Sequence, residues 1–410
     1  MILSEATGII ELGNANIKCL IFKIDNNDNL QILSTYLTES QGIHNGVIIN
    51  LAKASSVIRT CISAAEKKAG VSIKKINVIV EQPEFLCTKL SKHKKIDGSK
   101  IKKYDIEFLL KEAKKQVTLN DDKQSIILIF NYNYIVDKKK FIEEPIDVYA
   151  DSLSHEMTFV SMPKNNLKNI KQAFIDCDVE VERFISSIFA CAAKSLNNNQ
   201  LQLGSVLIDI GFEKISLGLF KNLALVHSIT FPVGINHIMK DISKVCSLSL
   251  QESEIIRNKI DYSFKNNEEL FDNNEYLKNL YFSNSNFRKI SKSLIVNIIK
   301  ARLDEILELL KNQIIVTGLN STAGINFFIL GDGSNLINLE KYCSDFFGSS
   351  VNKLEKYYEE ENKDDFEKDF ISCLGAVRII KDGWETEAIP EPIYDEQKTN
   401  FFAKIFGKKS

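Results

Sequence analysis

The sequence predicts an α/β protein with two related halves, and three segments carry that prediction. Residues 8–24, GIIELGNANIKCLIFKI, and residues 206–220, VLIDIGFEKISLGLF, each combine an apolar strand, an acidic residue, a glycine two positions later and a second strand. This pattern predicts a hairpin with a tight turn. Residues 325–335, INFFILGDGSN, predict a buried strand that ends in a glycine turn. The repeated hairpin favours an internal duplication, although a chance resemblance between two hairpins stays open.

The segments around the hairpins predict further elements in chain order. Residues 51–69 carry apolar side chains on one helical stripe, and Gly70 is placed to end that helix. Residues 76–80, INVIV, predict a buried strand. Charged helix and short strands alternate over 84–162, which predicts an inserted subdomain with its own small sheet, and the polar tract 262–286 predicts a surface loop. The last long helix carries one apolar stripe, formed by Ile295, Ile299, Leu303, Ile306 and Leu310.

Composition places the chain among ordinary globular proteins. Its 410 residues exceed what one core usually holds, and 44% of them are hydrophobic and 26% charged. The net charge of −2 gives no reason to expect nucleic acid as a partner. Eight cysteines without a CxxC pair or a regular spacing predict buried free thiols. We find no signal peptide and no apolar run of about 20 residues, so we expect the body of the protein to be cytoplasmic.

Together, the two hairpins, the later strand-Gly-x-Gly turn and the helical insertion in the second half resemble the actin superfamily. The details resemble one of its families, the bacterial cell-division protein FtsA, over nearly the whole chain. The insertion follows INVIVEQPEF, where FtsA-like proteins carry a subdomain called 1C and where actin has none. The pilus protein PilM shares this arrangement and is the alternative family. Four segments carry the closer likeness: TESQGIHNGVIINLAKASSVIRTCISAAEKKAG, SLSHEMTFVSMP, LSLQESEIIRNKI and IIKARLDEILELL.

The resemblance implies an actin-like fold of two lobes, each divided into two subdomains, with a C-terminal amphipathic helix. We expect these boundaries: 1–82 and 163–203 for subdomain 1A, 83–162 for 1C, 204–240 and 325–384 for 2A, 241–324 for 2B, 385–399 for a linker, and 400–410 for the helix.

The resemblance also places a nucleotide site at the two hairpins, which implies ATP or ADP with Mg²⁺ as the cofactor; whether nucleotide is bound at all stays open. The resemblance allows Glu in place of Asp at the acidic position of the first hairpin, where this chain has Glu11. No metal ligand set and no catalytic residue is assigned. The implied nucleotide-binding residues are Glu11, Gly13, Asn14, Ala15, Asp209, Gly211, Lys214, Glu254, Arg257, Arg302, Gly331 and Gly333.

Several positions of this site depart from the family pattern. Phe212, Glu213 and Lys214 stand where the family has Gly, Gly and Thr, although a bare backbone lets amide groups approach phosphates closely. The other departures are Asn16 for Lys, Ile235 and Met239 for Gly and Thr, Asp332 for Gly, and Glu81-Gln82 for Ser-Gly. Two interpretations stay open: a site that holds nucleotide in an altered way, and a cleft that serves only as a hinge or fold core. Neither predicts efficient hydrolysis, which requires preorganised phosphate and metal contacts.

The C-terminal segment NFFAKIFGKK predicts a helix that lies on a membrane surface. At about 100° per residue its apolar side chains fall within an arc of about 140°. Lysines beside this arc would meet anionic lipid headgroups. Docking on the protein itself or on a partner is the alternative. The predicted membrane-binding residues are Phe401, Phe402, Lys404, Ile405, Phe406 and Lys408.

By resemblance, the sequence predicts an adaptor that tethers filaments of FtsZ to the cytoplasmic face of the inner membrane at the division site. The expected partners are the FtsZ C-terminal tail through 2B, further copies of the chain, anionic lipid, and other division proteins through 1C. A PilM-like adaptor of a pilus or secretion assembly and an active ATPase are the alternatives. Three features have simpler interpretations: His155 and His237 as structural or surface residues, and the lysine run 91–103 as a solvated face rather than a partner surface.

Overall fold

The computed structural model describes residues 6–25, 29–141, 145–282, 289–318, 325–354 and 369–381. Its strands are β1 (Thr7–Leu12), β2 (Asn16–Ile24), β3 (Leu30–Glu39), β4 (Ile43–His44), β5 (Val47–Ile48), β6 (Lys75–Val80), β7 (Leu86–Lys100), β8 (Gln124–Val136), β9 (Lys139–Phe141), β10 (Tyr149–Pro163), β11 (Glu180–Ser186), β12 (Ser205–Ile210), β13 (Ile215–Lys221), β14 (Ala224–Phe231), β15 (Asn326–Leu330) and β16 (Val351–Lys353). Its α-helices are α1 (Leu51–Ala69), α2 (Lys103–Asn120), α3 (Lys164–Ile175), α4 (Ser187–Ser195), α5 (Asn198–Leu203), α6 (Ile235–Cys246), α7 (Leu250–Lys259), α8 (Lys292–Val316), α9 (Leu339–Phe347) and α10 (Ile371–Lys381).

The chain divides into two compact units. Unit 1 comprises Met1–Gly204, Gly218–Thr230 and Lys363–Ser410, and unit 2 comprises Ser205–Leu217 and Phe231–Asn362. The subdomain boundaries expected from the sequence divide the chain more finely and stay a prediction.

Two five-stranded sheets share one strand order. The first runs β3–β2–β1–β6–β11, in which the hairpin strands are antiparallel and β1, β6 and β11 are parallel. The second runs β14–β13–β12–β15–β16, in which β12, β15 and β16 are parallel. In each sheet a predicted hairpin therefore lies beside parallel strands. The shared order supports the internal duplication that the sequence favoured.

The insertion in unit 1 has its own sheet, as the sequence predicted. Its four strands lie in the order β7–β10–β8–β9. Helix α2 covers one face of this sheet and buries Ile106, Leu109 and Leu110 against it. Both the helix and the strands contribute buried apolar residues to this core, which is why the sequence pattern there indicated mixed helix and strand.

Two predicted helices are confirmed in their buried faces, and the first of them also in its bounds. Helix α1 covers 51–69, and Gly70 ends it in the left-handed conformation at φ 69°. Helix α8 buries the whole predicted stripe and in addition Leu307 and Ile314. Such a stripe is buried because only one face of a surface helix meets the core.

The predicted surface loop over 262–286 is wrong for the part that the structure describes. Tyr262 and Leu270 are fully buried, and Leu277 and Phe282 are nearly so. Two isolated bridges and a short 3₁₀ helix at Asn279–Tyr281 order this segment. The buried apolar residues of this segment are separated by many asparagines and have no regular spacing. The sequence therefore shows neither a helical nor a strand period there. All eight cysteines are free thiols, and six of them are buried.

Candidate functional site

The first hairpin turns tightly between β1 and β2. A Cβ atom on Gly13 would lie 2.3 Å from the carbonyl oxygen of Asn16, so this turn requires glycine. The Oδ1 atom of Asn14 accepts a hydrogen bond from the backbone N–H of Asn45 at 2.9 Å. The carbonyl of Ala15 accepts one from the backbone N–H of Ser40 at 2.8 Å, while the Ala15 side chain is exposed. The turn is thus held from outside and presents small side chains.

Glu11 and Lys18 form an ion pair across this hairpin. They are register partners in β1 and β2, and Lys18 Nζ lies 3.1 Å from Glu11 Oε2. Ser187 at the start of α4 donates to the other carboxylate oxygen at 3.4 Å. Burial lowers the pKa of Lys18, but the charge and hydrogen bond of the Glu11 carboxylate, together with the neighbouring Cys373 and Cys191, raise this pKa above its ordinary value.

Sequence reasoning missed Lys18. The signal was present, because Lys18 is the only charged residue between Glu11 and Lys23 in a hairpin whose other side chains are small or apolar. Asn16 and Lys18 are two residues apart on one strand, so their side chains share a face. A cation therefore stands on the face where the family's lysine was noted as missing.

Glu81 and Gln82 are internal structural residues of unit 1. The buried Glu81 carboxylate accepts from Ser186 Oγ at 2.8 Å, from the Ile188 N–H at 3.1 Å and from Thr230 Oγ1 at 3.3 Å. Gln82 donates to the Gly46 carbonyl at 2.6 Å. These partners explain why a glutamate is tolerated in the core, since a buried carboxylate needs several donors.

In unit 2 the second hairpin packs against the glycine turn that comes after β15. Gly331 has a φ of 87°, and a Cβ atom there would lie 2.3 Å from Asp209 Oδ1. Gly333 is similarly close to Ile210, at 2.2 Å from its Cγ2 atom. The structure thus brings together Asp209, Gly331 and Gly333, three of the residues predicted for the site, and leaves no room for larger side chains at either glycine.

The loop after Asp209 caps helix α6 with its own carbonyl groups. Gly211 closes the turn by donating to the Lys214 carbonyl at 3.0 Å. The Gly211 carbonyl accepts from the N–H of Ile235 at 3.2 Å, and the Phe212 carbonyl accepts from the N–H of Asn236 at 2.9 Å. The first N–H groups of a helix are the usual ligands of a bound phosphate. Here two of them are already used within the protein.

Phe212 packs under the guanidinium group of Arg257. The ring centroid lies 5.6 Å from Arg257 Cζ, and Arg257 is only 4% exposed. Nη2 of the guanidinium binds Glu254 at 3.2 Å and Asn258 at 2.9 Å, whereas its buried Nη1 has no hydrogen-bond partner among the described residues. A cation over an aromatic face gains electrostatic stabilisation. The phenylalanine therefore serves as part of the environment of Arg257.

Glu213 lies against α6. Its carboxylate accepts from the side-chain amide of Asn236 and lies 3.8 Å from Lys240 Nζ. A negative charge at a helix N-terminus is stabilised by the helix dipole. This carboxylate therefore occupies the electrostatic position that a phosphate would otherwise take at α6. Lys214 supplies its carbonyl to the turn and is half-buried.

Arg302, a further predicted site residue, has structural partners in unit 2. Arg302 on α8 binds Asp241 on α6 through two hydrogen bonds, of 2.6 and 3.1 Å, and binds Glu305 at 2.6 Å. The Asp241 carboxylate raises the pKa of Arg302. This bidentate pair joins two helices, which accounts for Arg302 without a ligand. Ile235 and Met239 are buried core residues, whereas Asp332 is exposed.

The second hairpin does not fit a magnesium-bound polyphosphate. Its helix cap is internally satisfied, Glu213 adds negative charge there, and Phe212 adds bulk where the family has glycine. The first hairpin is less obstructed, because its turn carries small side chains, and its Lys18 is paired with Glu11. Within the residues that the structure describes, no cluster of His, Cys, Asp and Glu could hold a metal ion.

The predicted membrane segment lies outside the described residues. This holds for Phe401, Phe402, Lys404, Ile405, Phe406 and Lys408, and for the linker before them. Among the described helices, none has the length and apolar character to cross a bilayer.

The sequence matches two family models. Residues 206–373 match the model of the cell division protein FtsA, and residues 86–161 match the SHS2 domain inserted in FtsA. The second match falls on the insertion that has its own sheet.

Curated relatives agree with these models. The chain is 22% identical to the cell division protein FtsA of Agrobacterium fabrum over 346 residues, which cover 82% of this chain and 78% of the relative. It is 27% identical to FtsA of Buchnera aphidicola from Schizaphis graminum, with 75% and 72% covered, and 24% identical to FtsA of Streptococcus pneumoniae, with 83% and 74% covered.

Solved structures show the fold. The chain is similar to a protein in the PilM–PilN type IV pilus biogenesis complex, with a TM-score of 0.61, 12% identity, and 92% of this chain and 98% of that one covered. It is similar to MreB5 of Spiroplasma citri bound to ADP, with a TM-score of 0.52, 13% identity, and 92% and 97% covered. The fold is therefore actin-like, as predicted. The FtsA model and the inserted SHS2 domain, with relatives of one name over most of the chain, show that this chain belongs to the FtsA family of cell-division proteins.

Proposed function

We propose that the chain is a division-site adaptor that tethers FtsZ filaments to the cytoplasmic face of the inner membrane. The observation that carries the proposal is the match to both FtsA-type segments in their family order, 86–161 and 206–373, on an actin-like fold. FtsA-like proteins carry a membrane-binding segment at the C-terminus, after the actin-like fold. In this chain we assign that role to residues 400–410.

The FtsZ tail is assigned to the region 241–324 of unit 2. This region contains α7, α8 and the segment between them that begins at residue 262. It exposes apolar side chains such as Ile255, Leu294 and Ile315. Exposed apolar residues on a helical surface suit a partner segment with its own apolar face. Self-association through actin-like contacts would multiply the weak attachment of a short terminal helix by avidity.

The nucleotide part of the proposal depends on the hairpins. MreB5 of Spiroplasma citri, which has a similar fold, is bound to ADP in one solved structure and to AMPPNP in another. In this chain, ATP or ADP would find small side chains and Lys18 at the first hairpin but a closed loop at the second. We propose that the nucleotide site is degenerate. Tethering then does not require magnesium-dependent hydrolysis of ATP.

Vesicle co-sedimentation with purified FtsZ tests the proposal. The intact chain should carry FtsZ filaments to vesicles that contain anionic lipid, because the tail supplies apolar and basic groups. The variant Phe402→Glu with Phe406→Glu should still bind FtsZ but leave it in the supernatant. FtsZ that sediments equally with this variant would contradict tethering through the tail. An FtsZ lacking its C-terminal tail should remain unbound by either form.

A further inference from the structure

Strand β7 is a long edge strand of the inserted sheet. It covers Leu86–Lys100, and in the described part of the chain it pairs only with β10. Its register with β10 is unbroken from Leu86 to Lys95. The outward backbone groups over this stretch therefore have no strand partner among the described residues. An open edge of this length is a template for a further strand.

The edge carries an excess of lysines. β7 contains five lysines and one acidic residue, Asp97, and of these lysines Lys94 is paired with Asp105 and Lys100 with Asp147. Lys92 and Lys95 form no ion pair with any described residue. Lysines on an edge deter pairing with strands of like charge, and like charges directly opposite each other destabilise a strand pair. A second copy of β7 is thereby disfavoured, and a strand rich in acidic residues is favoured.

Two exposed aromatic rings lie beside this edge on α2. Tyr104 is 57% and Phe108 is 47% exposed. Lys94 Nζ lies 4.6 Å from the centroid of the Tyr104 ring and 4.8 Å from that of Phe108, and it is bound to the buried carboxylate of Asp105 at 2.6 Å. Leu90 and Ile96 pack against the same helix, so this face of β7 is the one turned to α2.

We propose that the β7 edge binds an acidic, extended segment of a partner protein by strand addition. Apolar side chains at alternate positions of that segment would lie beside Tyr104 and Phe108 on the α2 face, which also carries Lys92. The acidic side chains between them would lie on the opposite face, beside Lys95. Backbone pairing supplies affinity, and the alternating side chains supply specificity. The proposal gives the inserted domain a partner of defined chemistry and does not rest on FtsZ or on membrane tethering.

A synthetic peptide provides the probe. A peptide of about ten residues that alternates glutamate with isoleucine or tyrosine should bind the full chain, measured by fluorescence anisotropy. Methylating two adjacent central amide nitrogens removes one N–H from each edge of the peptide and should weaken binding at least about tenfold. Raising the ionic strength from about 0.1 to about 1 M should also weaken it, since screening reduces attraction between exposed charges.

Three variants locate the site. Lys92→Glu with Lys95→Glu should weaken peptide binding about tenfold or more, as should Tyr104→Ser with Phe108→Ser. The same charge reversal on α3, Lys168→Glu with Lys171→Glu, should leave binding unchanged. All are surface changes, and their circular dichroism should match that of the natural chain.

Several outcomes would overturn the proposal. Equal binding of the N-methylated peptide would exclude strand addition. Equal binding by the α3 and β7 variants would exclude this edge. If a chain that lacks 400–410 bound anionic vesicles, and the β7 variant lost that binding, the edge would be a lipid site. If the β7 variant instead abolished a concentration-dependent dimer, its occupant would be a second copy.

Discussion

The two hairpins share their place in the sheet order but differ in the residues after the glycine. In the first, Gly13 leads into Asn14 and Ala15, and the acidic residue pairs with Lys18 inside the hairpin. In the second, Gly211 leads into Phe212 and Glu213, which bind Arg257 and α6. The acid-x-Gly start forms a tight turn in both hairpins, since a Cβ atom on Gly13 or Gly211 would collide with a backbone carbonyl. The residues after it differ between the hairpins in their partners.

The two hairpins also show which observations indicate a binding site and which indicate only a tight turn. A glycine whose Cβ would collide with neighbouring atoms, such as Gly13 or Gly331, reports a tight turn whether or not a ligand binds there. The hydrogen-bond partners of the next residues are more informative. At the second hairpin, carbonyl groups of the protein occupy the helix N–H groups that a phosphate would use.

The largest effect should come from the glycine at which the second hairpin meets β15. Gly331→Ala combines a left-handed backbone with a Cβ 2.3 Å from Asp209, so unfolding free energy in urea should fall by about 3 kcal/mol or more. Gly348→Ala in the same unit is the control. Gly348 also has a positive φ, but no atom lies within 4 Å of the Cβ that an alanine would add. The loss of unfolding free energy should therefore stay at about 1 kcal/mol, the cost of the backbone conformation alone. Equal losses would show that the close packing at Asp209 does not stabilise unit 2.

A second effect should distinguish unit 1 through its pH dependence. His155 is fully buried in the insertion, stacks on Tyr134 at 4.4 Å, and shares a 2.8 Å hydrogen bond with Asn131. Burial lowers its pKa from 6.5 to about 3. The unfolded chain therefore binds a proton that the folded chain rejects between these values, and stability falls as pH falls through 6.5. From about pH 7 to about pH 5 the loss should be about 2 kcal/mol.

His155→Gln is the matched variant, because glutamine can keep the bond to Asn131 and does not titrate. Urea denaturation of both forms at about pH 7 and about pH 5 isolates the contribution. If both lost the same free energy on acidification, His155 would not be a buried neutral group in the folded chain.

The ion pairs of the two hairpins should differ next. Lys18 and Glu11 have side chains 24% and 15% exposed, whereas Lys240 and Glu213 are 51% and 24% exposed and 3.8 Å apart. Lys18→Met leaves a mostly buried carboxylate with one partner fewer and should cost about 1 to 2 kcal/mol. Lys240→Met should cost less than about 0.5 kcal/mol, as exposed pairs do. Thermal unfolding of both variants gives the comparison, and a larger cost for Lys240→Met would reverse it.

A gain of function should follow when the second hairpin is given the small residues of the family pattern, so that it resembles the first hairpin in carrying no bulky side chain. Phe212→Gly, Glu213→Gly and Lys214→Thr together remove the bulk and the negative charge beside α6. ADP affinity, measured by calorimetry, should rise about tenfold, which is about 1.4 kcal/mol. Lys214→Thr alone is the control and should change little. An unchanged affinity in the triple variant would mean that these residues are not what closes the loop.

Local patterns predicted much of this protein. The hairpins, helix α1 with its Gly70 cap and the stripe of α8 arise from period and turn chemistry, which act over a few residues. The burial of Tyr262 and Leu277 could not be predicted, because the apolar residues of this segment have no regular spacing and because some of their partners, Ile337 and Ile290, lie outside it. The same limit hid the roles of Glu81 and Arg302, whose partners lie on other elements. The sequence shows which residues depart from the family pattern. It does not show which residues of the protein they contact.

The proposal that the second hairpin is degenerate is tested most directly by a titration of the natural chain with adenosine, AMP, ADP and ATP, each with and without magnesium. Polyphosphates normally gain affinity from helix N–H groups and a metal ion. Because the N–H groups of Ile235 and Asn236 are already bonded within the protein, affinity should change less than about tenfold along the series and should not depend on magnesium. Binding of magnesium-ATP more than about a hundredfold tighter than adenosine would contradict this account.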